Sequence, residues 1–218
     1  MTDTDKKQYT SKRLIVDHNL EYIWIGGNYE IRSKMRYVKS INICDQDLLK
    51  KLVWNYDGSS TGQTNTKDSE IILKPVRVFK NPIYDFTHQI SFIVICETYH
   101  QNGEPTATNH RKFANDIFNK DIDADPFFGM EQEYFIIDPK TDLPLGYDPK
   151  KKQGQFYCGV GTDNAFGRKI AEEHYRACIE CAIYIAGMNA EVAPGQWEFQ
   201  VGVCDGVEAG DHMLIARY

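Results

Sequence analysis

The residues best suited to chemistry are glutamates that recur in two short segments of the chain. The first segment, FFGMEQEYFII (127–137), alternates with the period of two that is typical of a β-strand. Glu131 and Glu133 therefore project from one face of that strand, about 7 Å apart along it. An isolated E-x-E usually marks a solvent-exposed face, but the apolar residues on both sides of this pair favour a buried strand.

The second segment, NAEVAPGQWEFQVG (189–202), contains Pro194 followed by Gly195, which is the signature of a type II turn. If a two-residue hairpin closes at this turn, Glu191 and Glu198 lie directly opposite each other, about 5 Å apart. Such a pair repels unless a cation binds between the carboxylates. Carboxylates without histidine or cysteine partners favour Mg²⁺ or Mn²⁺. A protonated or solvated pair is the alternative interpretation.

A third segment, VWNYDGSSTGQ (53–63), is a glycine- and serine-rich loop that carries one acid, Asp57, close to aromatic residues. By itself the loop indicates an ordinary turn, although successive backbone N–H groups in such loops also form anion-binding nests. A further glycine-rich segment, GVGTDNAFG (159–167), lacks the spacing of the dinucleotide-binding fingerprint, so we exclude that function.

Composition and charge exclude several classes of protein. The 218 residues carry a net charge of −6, whereas a general nucleic-acid-binding protein is usually basic. The longest apolar run, at 90–96, is far shorter than the ~20 residues that span a bilayer. The first 13 residues also lack the apolar centre of a signal peptide. We therefore expect a cytoplasmic protein with neither nucleic-acid nor membrane partners.

The elements that must position these residues follow from hydrophobic periodicity and turn residues. Strands are predicted on both sides of a turn at 26–28, and also at 69–79 and 90–100, while 138–155 is predicted to be a loop. Helices are predicted at 109–119, with Thr108 or Asn109 as the N-cap, at 164–186, with Gly187 as the C-cap, and after Asp211 as the N-cap.

Cysteine and histidine residues are interpreted as structural. The six cysteines have no secretory signal before them and are expected to be reduced thiols. Cys178 and Cys181 form a C-x-x-C, but they lie within the helical pattern and no second C-x-x-C completes a zinc site. His174 lies on the same helical face and is interpreted as a hydrogen-bonded core histidine rather than a ligand.

Several long motifs, in a fixed order, resemble those of glutamine synthetases of the eukaryotic type. They are WNYDGSSTGQ, FFGMEQEY, FYCGVGTDNAFGR, HYRACIECAIYIAGMNAEVAPGQWEFQVG and GDHMLIARY. The resemblance implies an α+β fold in which a flexible N-terminus (1–16) precedes a β-grasp domain (17–103). A catalytic domain (110–218), with a curved, mostly antiparallel sheet and helices, is expected to follow and to be truncated at its C-terminal end.

The resemblance also implies the reaction and the site. ATP-dependent ligation of ammonia to L-glutamate through γ-glutamyl phosphate is expected, with Mg²⁺ or Mn²⁺, in a homo-oligomeric ring that is a decamer in the family. Glu131 is expected to bind one metal and contact ATP, and a second metal is expected to bind Glu133, Glu191 and Glu198.

Two further sets of residues are implied by the same resemblance. Asp57 is expected to bind ammonium, with Ser60 and Tyr157 beside it. The residues expected to line the nucleotide are Glu198, Phe199, Gln200, Val201, Gly202 and Val203.

Three hypotheses about function remain open from the sequence. In the first, the chain is an enzyme of this family, as a fragment or a truncated product. In the second, it is a catalytically inactive assembly or scaffold protein. In the third, it is a γ-glutamyl-amine ligase of the same superfamily. The four glutamates and Asp57 favour the enzyme, and the D-G-S-S-T loop favours ammonia. Because the family's ATP-binding arginines match no position in the chain, we expect it to form no γ-glutamyl phosphate alone.

Overall fold

The computed structural model describes residues 16–41, 49–84 and 90–218, which form ten strands and three α-helices. The strands are β1 (Val16–Ile25), β2 (Ile31–Ile41), β3 (Trp54–Asp57), β4 (Glu70–Lys80), β5 (Ile90–His100), β6 (Phe127–Phe135), β7 (Ile137–Asp138), β8 (Leu143–Pro144), β9 (Ile185–Ala190) and β10 (Gln196–Asp205). The helices are α1 (His110–Phe118), α2 (Arg168–Glu180) and α3 (Gly206–Arg217), with short 3-10 helices at Gly58–Thr61 and Ile122–Ala124. None of the described helices combines the length and apolar composition needed to cross a bilayer.

Strands β1 to β5 form a mixed sheet in the order β2-β1-β5-β4-β3. The central pair, β1 and β5, is parallel, and the other neighbours are antiparallel. The predicted hairpin at 26–28 and the predicted strands at 69–79 and 90–100 are confirmed. The parallel centre agrees with the β-grasp arrangement, and the α+β class is confirmed. The boundaries of the two predicted domains stay predictions, and residues 1–15 lie outside the described residues.

A second sheet carries most of the residues selected for chemistry. It has three antiparallel strands in the order β6-β10-β9, so that β10 pairs with a neighbour on each side. A register shift between Val201 and Cys204 marks a bulge near the end of β10. Strands β7 and β8 form a small separate ladder at the start of the segment 138–155, where the sequence predicts a loop; Ile137 of β7 precedes that segment.

The main core lies between the two sheets and beneath α3. Strand β1 is buried on both faces, with Tyr22 and Trp24 in one core cluster and Ile23 in the other. Ile23 joins a cluster that also contains Val201 of β10 and Ile215 of α3. Each such side chain, when fully buried, contributes roughly 1.5–3 kcal/mol, so this cluster is what joins the sheets.

A buried ion-pair network crosses the same junction. Arg111, in the first turn of α1, donates to Glu97 of β5 at 2.8 Å and to both carboxyl oxygens of Asp211 of α3, at 2.8 and 3.0 Å. The prediction that Asp211 is an N-cap is wrong, because α3 begins at Gly206 and Asp211 lies inside the helix. Its side chain is only 2% exposed, so its charge depends on the guanidinium for compensation.

Helix α1 is confirmed, and Asn109 is its N-cap, since the side chain accepts a hydrogen bond from the N–H of Lys112. The predicted helix at 164–186 is too long. Helix α2 covers only Arg168–Glu180, and the chain reverses at Ala182, which has a positive φ of 59°. Residues 185–190 are strand β9, so Gly187 caps no helix. Apolar residues continue at helical spacing beyond the end of α2 and into β9, so the periodicity predicted a helix that is too long.

The structural interpretation is confirmed for His174 and for five of the six cysteines, since Cys44 lies outside the described residues. The five cysteines within the described residues are free. Burial raises the pKa of Cys178 to about 12 and that of Cys181 to about 11, so both remain unreactive thiols. His174 hydrogen-bonds through Nε2 to the carbonyl oxygen of Ala216, 2.8 Å away.

Replacement of Arg111 tests how strongly the ion-pair network stabilises the junction. We expect Arg111→Met to lower the free energy of unfolding by about 3 kcal/mol, because buried Glu97 loses its ion pair and buried Asp211 keeps only Arg77, 3.8 Å away. The neighbouring Lys112 pairs with Asp116 on the surface, and Lys112→Met should cost less than about 1 kcal/mol. Urea denaturation followed by circular dichroism measures both values, and equal losses in the two variants would contradict this account.

Candidate metal centre

Three of the predicted glutamates converge on the open face of the three-stranded sheet. Glu133 on β6 and Glu198 on β10 are direct register partners, and Glu191 follows the last residue of β9. One carboxyl oxygen from each of the three lies within 4.8 Å of the other two. Two ligand oxygens on one Mg²⁺ lie at most about 4.2 Å apart, twice the usual bond length, so a small side-chain shift brings all three onto one ion.

The predicted pairing of Glu191 with Glu198 is wrong. Glu198 lies opposite Asn189, and the N–H of Glu191 donates instead to the carbonyl oxygen of Gln196, 2.9 Å away. The register is therefore shifted by two residues from the predicted one. The carboxylate that directly faces Glu198 is Glu133 on the other neighbouring strand.

The cause of the shift lies in the turn. Gly195 has a φ of 68°, and the N–H of Gln196 donates to the carbonyl oxygen of Ala193 at 3.2 Å, as in a type II turn. The twist of that turn does not match the twist of two paired strands. The connection therefore widens to residues 192–195 before pairing begins, which displaces Glu191 from the strand into the loop.

Like charges dominate the electrostatics of this cluster. Burial raises the pKa of Glu191 above its usual value, and the neighbouring carboxyls of Glu198 and Glu133 raise it further. None of the ion pairs between described residues brings a lysine or arginine to the three carboxylates. The donor set, three carboxylates without histidine or cysteine, fits a hard divalent cation.

Glu131 lies on the same face of β6 as Glu133 but outside the cluster. Its register partner is Gln200, and its side chain is exposed. The predicted alternation of β6 is therefore confirmed, but the expectation of a buried glutamate face is wrong. The opposite face, with Met130 and Tyr134, is the one that packs against the core.

Side-chain amides that the sequence analysis did not select surround the three carboxylates. Gln196 donates to Glu133 at 2.7 Å, Asn189 donates to Glu191 at 3.0 Å, and Gln200 donates to Glu198. All three amides belong to the segment 189–202 that was selected for its glutamates. Their alternation with those glutamates is the signal that could have found them.

The residues expected along the nucleotide divide between two faces of β10. The side chains of Phe199 and Val201 are buried in the core, so any contact they make with a ligand must come from the backbone. Glu198 and Gln200 project toward the carboxylate cluster. Gly202, with a φ of 114°, lies in the bulge, and the Val203 side chain after it is 65% exposed.

Asp57 ends β3 and caps the short helix that follows. Its carboxylate accepts hydrogen bonds from the N–H and hydroxyl of Ser59, at 3.1 and 2.7 Å, and from the hydroxyl of Ser60, at 2.7 Å. These donors, the Ser59 hydroxyl first, lower the pKa of Asp57 to about 2. The side chain is exposed and remains an anion throughout the physiological range.

The structure places Tyr157 beside the glutamates rather than beside Asp57. The neighbouring N–H of Cys158 donates to the carbonyl oxygen of Ala190, which fixes this loop at the end of β9. Cys158 and then the charge of Glu191 raise the pKa of Tyr157. Asp57 lies in the five-stranded sheet, and no hydrogen bond or ion pair found between described residues links it to the carboxylate cluster.

Fold and site together define an α+β protein with a cluster of three carboxylates on an antiparallel sheet. A family model described as "Glutamine synthetase, catalytic domain" matches residues 109–218. The chloroplastic glutamine synthetase of Brassica napus is 46% identical over 224 residues, covering 100% of this chain and 50% of that protein. The nodule isozyme of glutamine synthetase from Lupinus luteus is 47% identical over 204 residues, covering 91% of this chain and 56% of that protein.

The chain belongs to the glutamine synthetase family, and the resemblance to the eukaryotic type is confirmed. It spans about half the length of the curated relatives it matches. A solved glutamine synthetase structure from Plasmodium falciparum matches with a TM-score of 0.67 at 16% identity, covering 95% of this chain and 45% of that chain. At that identity the match supports the fold.

Removing the hydroxyl donors tests the account of Asp57. We expect Ser59→Ala to raise the pKa of Asp57 toward its ordinary value of 3.8. The hydrogen bonds favour the charged form, so their stabilisation is complete above the ordinary pKa and is lost as the pH falls toward 2. A ¹³C NMR titration of the carboxyl carbon measures the shift, with Ser33→Ala on β2 as the control. An Asp57 that titrates identically in the native chain and Ser59→Ala would contradict this account.

Proposed function

We propose that this chain supplies metal-binding carboxylates to a glutamate–ammonia ligase, which joins ammonia to L-glutamate with ATP and gives glutamine, ADP and phosphate. The observation that carries the proposal is the convergence of Glu133, Glu191 and Glu198 within 4.8 Å, in a chain of the glutamine synthetase family. The three carboxylates would hold one Mg²⁺ or Mn²⁺. Glu131, on the same face of β6, would contribute to a second metal and contact ATP.

The chemistry explains the need for so many carboxylates. A carboxylate of glutamate is a poor electrophile, so it must first be activated as γ-glutamyl phosphate. A bound divalent ion supplies neutralising charge for the phosphoryl group during that transfer. The residues of this chain provide the rigid platform: Glu133 and Glu198 are fixed by strand pairing, and Glu191 is fixed by the loop that follows β9.

Asp57 is proposed to bind the ammonium ion, with Ser60 as one of its supports. A carboxylate with a pKa of about 2 keeps its charge and is a weak base. Its proposed contribution is therefore to concentrate the cation rather than to take its proton. Tyr157, which lies near Glu191, is proposed to stand beside the Asp57 of a neighbouring copy. The exposed Val203 and the backbone from Glu198 onward would line the nucleotide.

The separation of Asp57 from the glutamates supports an active site assembled between copies. In the proposed homo-oligomeric ring, the five-stranded sheet of one copy would bring its Asp57 to the carboxylates of its neighbour. The cytoplasmic compartment expected from the sequence belongs to this proposal as well; the relatives from Brassica napus and Zea mays are chloroplastic enzymes. The presence of all four glutamates and Asp57 supports a catalytic role over a purely architectural one.

Metal binding is the first test of the proposed function. We expect the purified chain to bind Mn²⁺ in an electron paramagnetic resonance titration. Because Glu198 would contact the ion directly, Glu198→Gln should lose more than the roughly 10–100-fold affinity typical of removing a ligand's supporting partner. Glu104→Gln, in an exposed turn after β5, is the matched control and should bind as the native chain does. No binding by the native chain, or equal binding by Glu198→Gln, would overturn the proposed site.

The same preparation also tests the expectation that the chain forms no γ-glutamyl phosphate alone. Phosphoryl transfer depends on cationic groups around the γ-phosphate, and the ion pairs among described residues place none at the glutamates. With glutamate, ammonium, ATP and Mg²⁺, phosphate release should stay at the background rate. Turnover in the ordinary enzyme range of ~1–10³ s⁻¹ would contradict this expectation and show that cationic groups do reach the γ-phosphate.

A further inference from the structure

Three side-chain amides form a shell around the carboxylate cluster, one amide for each glutamate. Gln196 serves Glu133, Asn189 serves Glu191, and Gln200 serves Glu198. Amides differ here from lysine or arginine, because a basic side chain would neutralise the cluster and compete with a bound cation. An amide instead satisfies one lone pair of a carboxylate while leaving the negative charge in place.

The orientation of the Gln196 amide is set by the turn. Its Oε1 accepts a hydrogen bond from the N–H of Ala193 at 3.2 Å, so the Nε2 donor must face Glu133, where it lies 2.7 Å from a carboxyl oxygen. An inverted amide would lose both contacts. The widened turn, which displaced Glu191 from the predicted register, thus also orients the side chain that supports Glu133.

Gln200 and Asn189 link the other two glutamates. The Nε2 of Gln200 donates both to Glu198 and to the Oδ1 of Asn189, 2.8 Å away. Because its oxygen accepts this bond, Asn189 presents its Nδ2 to Glu191, at 3.0 Å. The directions of these bonds are consistent from donor to acceptor, and a change at Gln200 therefore reaches both carboxylates.

Gly187 on β9 provides the space for this arrangement. It is the register partner of Gln200, and a Cβ at this position would lie 2.9 Å from the Oε1 of Gln200. That oxygen is the far end of a flexible side chain, so an alanine can be accommodated by moving the Gln200 amide rather than the backbone. The absence of a side chain at Gly187 thus allows the amide to reach Glu198.

We propose that Gln196, Gln200 and Asn189 are positioning residues that hold the three glutamates converged before a divalent cation binds. This inference rests on the proposed metal site and adds to it the residues that shape its affinity. Groups that orient metal ligands typically change affinity by about 10–100-fold when they are removed. We expect losses in that range for the removal of Gln196 or Gln200.

The test is a Mn²⁺ titration of the purified chain by electron paramagnetic resonance, with metal-free unfolding recorded in parallel. Gln196→Met and Gln200→Met remove the donors at nearly constant volume and should each lower Mn²⁺ affinity by about 10–100-fold. Gln101→Met is the matched control, because Gln101 also donates to a carboxylate, that of Glu70 at 3.0 Å, but in the five-stranded sheet region away from the cluster. Its Mn²⁺ affinity should equal that of the native chain.

A double-mutant cycle separates positioning from a general effect on folding. Gly187→Ala should weaken Mn²⁺ binding as Gln200→Met does, and it should add nothing in the Gln200→Met background. The metal-free unfolding midpoints of Gly187→Ala and Gln101→Met serve as the folding reference. Native Mn²⁺ affinity in Gln196→Met and Gln200→Met, or additive losses in the cycle, would overturn this inference while leaving the metal site intact. A native chain that binds no Mn²⁺ would overturn both.

Discussion

Mutual repulsion among three carboxylates is the constraint on which this structure depends. Glu133, Glu191 and Glu198 present oxygens within 4.8 Å of one another, although like charges directly opposed across strands are destabilising. The three-stranded sheet opposes this repulsion by fixing the backbone on both sides of Glu198. The turn at 192–195 and the surrounding amides then orient the three glutamate side chains toward one another. In the proposed function, a bound divalent cation would remove this repulsion.

The partners of other buried carboxylates in the molecule provide a comparison for the cluster. Asp211 and Glu97 are at least as buried as the glutamates of the cluster, and both are paired with Arg111 at hydrogen-bond distance. The glutamates of the cluster accept hydrogen bonds from side-chain amides instead of guanidinium groups. Glu21, which is 2% exposed, also accepts a hydrogen bond from an amide, that of Asn81 at 3.1 Å, so the cluster differs from the other buried acids in the convergence of three carboxylates rather than in its amide partners alone.

Local patterns predicted much of this arrangement, and long-range pairing set the rest. The alternation of β6 places Glu131 and Glu133 on one face, and the type II turn at Pro194 is present as the dipeptide indicates. The sequence could not reveal which face of β6 packs on the core, because both faces carry large apolar residues. It also could not reveal that this turn widens before strand pairing starts, which decides that Asn189 rather than Glu191 faces Glu198.

Helix ends were misjudged for a related reason. Spacing of three and four residues continued beyond α2, yet a reversal at Ala182 sends the following residues into β9. Asp211 has the chemistry of an N-cap, but its partner, Arg111, lies 100 residues earlier and reaches it only in the folded chain. Contacts of this kind depend on tertiary structure, and no local pattern reports them.

The most direct measurement of the central claim is a crystal structure of the chain grown with Mn²⁺, with diffraction collected at the manganese absorption edge. The account predicts an anomalous peak between the strands, with an oxygen from each of Glu133, Glu191 and Glu198 within about 2.3 Å. An anomalous map without a peak among these carboxylates, at saturating Mn²⁺, or a peak bound by other side chains, would contradict it.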